Sequence, residues 1–119
     1  MDIFKELQFT QEWIELGIIT PDQLNQIEDE WRTSDDQNPE HYRWRAFLDF
    51  SKANPFLDDQ TLRRLYSLGT SDADRVMGGS IMVHVLRRKD CPEDLLLDAA
   101  DSEEKYLREI AQERLASVD

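Results

Sequence analysis

Apolar residues recur along this chain at helical spacing from one end to the other, and no stretch makes a convincing strand. Ile3, Phe4, Leu7, Trp13, Ile14 and Leu16 fall roughly on one side of a first predicted helix, with Phe9 off the stripe. Gly17 follows, where a left-handed C-cap belongs. Ile18-Ile19-Thr20-Pro21-Asp22-Gln23 is a strong helix start. Thr20 caps, Pro21 takes the first helical position, Gln23 completes a capping box, and Ile19 is placed to staple onto Leu24. Leu24, Ile27 and Trp31 form the stripe of this second helix. Thr33 to Pro39 is polar, acidic and ends in Asn-Pro, so it reads as a loop. It separates an N-terminal helical hairpin, residues 1–33, from residues 39–119 within one domain.

A third helix runs from Pro39 to Ala53, with Tyr42, Ala46 and Phe50 on one face, Phe47 beside them and Trp44 off the stripe. Asn54-Pro55 stops it. Asp58 or Asp59 starts the next, with Leu62, Leu65, Tyr66 and Leu68 inward and Gly69 at its end. Ser71 with Asp74 starts another, which carries Val76, Met77, Ile81, Val85 and Leu86. Gly78-Gly79 inside that helix costs about 1 kcal/mol per glycine relative to alanine. Close approach of a neighbouring helix explains the pair better than a kink does. Arg87-Arg88-Lys89 puts positive charge at the helix C-terminus, as the dipole prefers.

Pro92 suits the first position of a short helix, with Cys91 or Asp90 as its cap. Asp101 and Glu104 then have capping-box spacing before a last helix striped by Leu107, Ile110, Ala111 and Leu115. Tyr66 to Asp72 matches Leu95 to Asp101, and the same shift of about thirty residues pairs Met77 with Tyr106, Ile81 with Ile110 and Leu86 with Leu115. The expected fold is all-α, about six or seven helices in a short array of antiparallel hairpins, each covering the open face of its neighbour. The run from Cys91-Pro92-Glu93-Asp94-Leu95-Leu96 through Asp101-Ser102-Glu103 to Arg108-Glu109-Ile110-Ala111 resembles a HEAT-like repeat, closest to the variant leucine-rich repeats. That resemblance covers the C-terminal half and implies a right-handed helical solenoid with a habit of binding partners and no particular activity. An iron–sulfur cluster, found in some variant-repeat proteins, does not carry over, because Cys91 stands alone.

Composition narrows the function classes. The 119 residues suit one ordinary domain, and the balance of 39 % hydrophobic to 34 % charged residues excludes general disorder. The apolar runs are too short to span a bilayer, the start lacks the pattern of a signal peptide, and a single cysteine cannot make an internal disulfide. A cytoplasmic setting is expected. The net charge of −12 repels nucleic-acid phosphates and points either to simple solubility or to a protein partner with a basic face.

Little catalytic chemistry is visible. His84 and Cys91 are the one candidate pair for a thiol enzyme or redox protein, and a thiol at a helix start would have a lowered pKa. His41 is the only other histidine, too far off in sequence to suggest a metal set. Asp35-Asp36, Asp58-Asp59 and Asp72 with Asp74 lack the pattern of a calcium loop and fit helix starts. No cofactor or metal is expected. The leading functional candidate is an aromatic and arginine cluster of Tyr42, Arg43, Trp44 and Arg45, with Trp31 across the loop, because these residue types dominate interface hot spots. The reading is a non-catalytic protein-binding module of adaptor, inhibitor or immunity type. A Cys91 enzyme, an acidic mimic of nucleic acid and a homodimer that hides one end of the stack are the alternatives.

Overall fold

A break at Gln8 decides the first part of the fold. Gln8 takes φ 62°, so the expected first helix becomes two, α1 (Ile3–Glu6) and α2 (Gln11–Glu15). An unbroken helix would have left Phe9 off the apolar stripe. The turn instead brings Phe9 to 4 % exposure, edge-on to Trp13 at 5.3 Å. Gly17, at φ 77°, makes the left-handed turn that delivers Ile18 and Ile19 inward. The computed structural model describes residues 3–35 and 38–116, so Asp36, and with it one of the acidic pairs, lies outside the described residues.

Six further helices follow: α3 (Pro21–Thr33), α4 (Pro39–Ala53), α5 (Asp59–Ser71), α6 (Arg75–Arg87), α7 (Glu93–Ala100) and α8 (Lys105–Ala116). The fold is all-helical, with no strand among the described residues. The extra helix relative to the expected six or seven is the one created at Gln8. Thr20 and Gln23 form the full capping box at the start of α3.

The chain divides at Pro55/Phe56 into two compact units, which groups α4 with the helices before it rather than with the hairpins after it. The first unit buries Leu7, Phe9, Trp13, Ile18, Ile19, Ile27, Trp31, Tyr42, Ala46 and Phe47. The second is built of two hairpins, α5 with α6 and α7 with α8, and α6 packs on α8. Arg75 at the start of α6 pairs with Glu104 just before α8. Arg114 near the end of α8 donates to the carbonyl of Arg88 just after α6, at 2.8 Å. These two bonds make α6 and α8 run parallel.

Several expected boundaries move. Gly69 does not end α5, which continues to Ser71. Gly69 is instead the point where α5 meets Gly78 of α6. Asp74 alone caps α6, accepting from the N–H groups of Val76 and Met77, while the Ser71 hydroxyl turns back onto the carbonyl of Leu68. Val76, expected inward, is 82 % exposed. Pro92 occupies the cap position of α7, one residue before the helix, so neither Cys91 nor Asp90 caps it. No capping box joins Asp101 to Glu104, because α8 begins later, at Lys105.

Part of the burial pattern of the two hairpins corresponds at a shift of 30 residues, one more than the pairs read from sequence, although buried Leu68, Gly79 and Leu86 map onto exposed Asp98, Glu109 and Ala116. Leu62 maps to Pro92, Leu65 to Leu95, Gly69 to Ala99, Met77 to Leu107 and Ile81 to Ala111, and all ten residues are buried. The hairpin turns follow the same shift. The Asp72 carboxylate accepts from the N–H of Asp74, and the Ser102 hydroxyl accepts from the N–H of Glu104. Arg75 and Lys105 then open α6 and α8.

Candidate functional site

The end of α3 and the first turns of α4 carry the most developed surface of the first unit. Trp31 closes the buried stripe of α3, and Tyr42 lies one turn into α4. Their rings meet edge to face, with centroids 5.5 Å apart and planes 74° apart. Both are nearly buried, at 8 % and 6 %. Arg45 follows Tyr42 by three residues, so helical spacing lays its guanidinium over the tyrosine ring, 5.3 Å from the centroid. Arg45 Nη2 also donates to Glu30 Oε2 at 2.6 Å, and the two side chains are each 51 % exposed. This pair ties α3 to α4 while remaining wet.

Glu30, Thr33, Ser34, His41, Tyr42 and Arg45 line an open hollow of about 370 Å³. One cation, one carboxylate, two aliphatic hydroxyls, an imidazole and an aromatic ring therefore converge there. Such a set can hold a polar side chain of a partner by charge-assisted hydrogen bonds and ring contact.

The five residues expected to bind together do not lie together on the surface. Arg45 is the exposed member, and Trp31 and Tyr42 support it from beneath. Trp44 is half-buried and stacks on Phe47, with centroids 5.6 Å apart and planes 20° apart. Arg43 is drawn into the interior at 1 % exposure, where Nη1 donates to the carbonyl of Leu7 at 2.9 Å. It serves the turn that breaks α1 from α2. The sequence reading missed Glu30, Thr33, Ser34 and His41. Glu30 adjoins Trp31 and His41 adjoins Tyr42, so the aromatic pair across the loop was the available signal.

Burial shifts Cys91 and His84 away from an activated thiol–imidazole pair. Burial pushes the Cys91 thiol up to about 11, the opposite of a helix-start effect. The thiol stays protonated at neutral pH and donates weakly to the carbonyl of Pro92. Burial, then the nearby Arg88 charge, lowers His84. Among the described residues no group of three or more His, Cys, Asp or Glu side chains could hold a metal ion. No described helix is long and apolar enough to cross a membrane.

Several charged groups of the second unit are engaged in structure. Arg63 of α5 reaches Asp94 of α7 through its Nε and Nη2, and this bond holds Asp94 below the usual carboxylate range. Arg88 forms a forked pair with Asp90, whose carboxylate also accepts the N–H of Leu57.

What the geometry defines is an all-helical protein assembled from hairpins, with a small arginine–aromatic surface on its first unit. In comparisons with known proteins, no family model, no curated protein and no solved structure matches the chain.

Proposed function

We propose that this chain is a non-catalytic protein-binding module of the adaptor, inhibitor or immunity type, acting in the cytoplasm, with a HEAT-like arrangement of its C-terminal hairpins. The observation that carries the reading is Arg45, held over Tyr42 and tied to Glu30 beside an open polar hollow. An arginine fixed against a ring has already lost much of its side-chain freedom, so it binds at a lower entropic cost than a free one. Tyr42 lies beneath it with Trp31 against the tyrosine ring, and Trp44, half-buried on Phe47, is the neighbouring aromatic of α4. The net charge of −12 gives the surface a field that draws a basic partner and should weaken with salt. The neutral Cys91 thiol favours this reading over a cysteine enzyme.

The test is affinity capture from a source lysate, comparing the wild type with a Trp44→Ala/Arg45→Ala variant at low and high salt. The expected result is a basic partner held by the wild type and lost by the variant and by salt, with circular dichroism unchanged. Equal capture by both folded forms would remove the anchor.

A further inference from the structure

We draw no further inference here: the strongest candidate, the open hollow between the end of α3 and the first turns of α4, belongs to the site already described, and its two lining charges, Glu30 and Arg45, are paired with each other, so nothing in it singles out the chemistry of an occupant.

Discussion

Gly78 of α6 lies so close to Gly69 of α5 that a Cβ built on Gly78 would collide with the carbonyl oxygen of Gly69, and one built on Gly69 would come within 2.7 Å of the carbonyl of Gly78. Backbone meets backbone here, and neither side can rotate away. Gly78→Ala should therefore destabilise by about 1–3 kcal/mol through overpacking, more than the roughly 1 kcal/mol gained in helix propensity. Gly79→Ala meets the hydroxyl end of Tyr106, the far end of a partly exposed side chain, rather than backbone. It should be neutral or stabilising by up to about 1 kcal/mol. Urea denaturation of the two variants checks the contrast, and equal losses would mean that the two glycines share one constraint.

Arg43 makes a second prediction, because it is an arginine acting as a core residue. Its side chain is buried and its Nη1 satisfies the carbonyl of Leu7, at the turn that lets Phe9 pack on Trp13. Arg43→Ala leaves that carbonyl unpaired and opens a cavity, so a loss of about 2–4 kcal/mol is expected. Arg45→Ala, at an exposed ion pair, should cost less than about 1 kcal/mol. Thermal denaturation and limited proteolysis within the first twenty or so residues would show whether the damage is centred on the α1–α2 turn.

The contrast between Arg43 and Thr20 also explains what was legible in the sequence. Thr20, Pro21 and Gln23 act within one helical turn, and local chemistry writes itself into adjacent letters. The same holds for Gly17 and for Pro39 to Ala53. Arg43 acts on Leu7, thirty-six residues away, and nothing in a single sequence marks a charged residue as interior. The repeat was legible as a shift of about thirty because its turns and leucines recur. Its register was not, since Tyr106 and Leu107 are both apolar and only burial separates them. The start of α8 was misread for a similar reason. Asp101 is a good cap by residue type, but the Ser102 hydroxyl instead holds the N–H of Glu104 in a turn that matches the one at Asp72, and the helix begins only at Lys105. The aromatic cluster was legible by residue type, but its division into a wet Arg45 and a buried Arg43 required the turn at Gln8.

Cys91 gives a prediction about reactivity. Its thiol is half-buried and shifted up to about 11, so the nucleophilic thiolate is scarce at neutral pH. Alkylation by iodoacetamide, followed by mass spectrometry, should be slow near neutral pH and accelerate steadily into the alkaline range, without a plateau near pH 8. A plateau there would mean an activated thiol and would reopen thiol chemistry at this site. Cys91→Ser should leave partner capture intact.

Asp90 makes the fold sensitive to acid. The Arg88 guanidinium first, and the Leu57 N–H after it, hold its carboxyl below its ordinary value of 3.8. The pair is only slightly exposed, at 9 % for Arg88 and 18 % for Asp90. In the native state the carboxylate is favoured, so the unfolded chain binds more protons and stability rises with pH through this range. The contribution is fully present above the unfolded carboxyl pKa and is lost as the pH falls through the lower, native one. Asp90→Asn keeps the shape but removes the charge, and should cost about 1.5–3 kcal/mol at neutral pH, the range for a hydrogen bond to a charged group. It should also flatten the acid limb of the stability curve, because one carboxyl whose proton affinity differs between the two states is gone. Denaturant titrations from pH 7 down to pH 3 would read both effects. Parallel curves for wild type and variant would assign the acid sensitivity elsewhere, with Asp94 on Arg63 as the next carboxylate to replace.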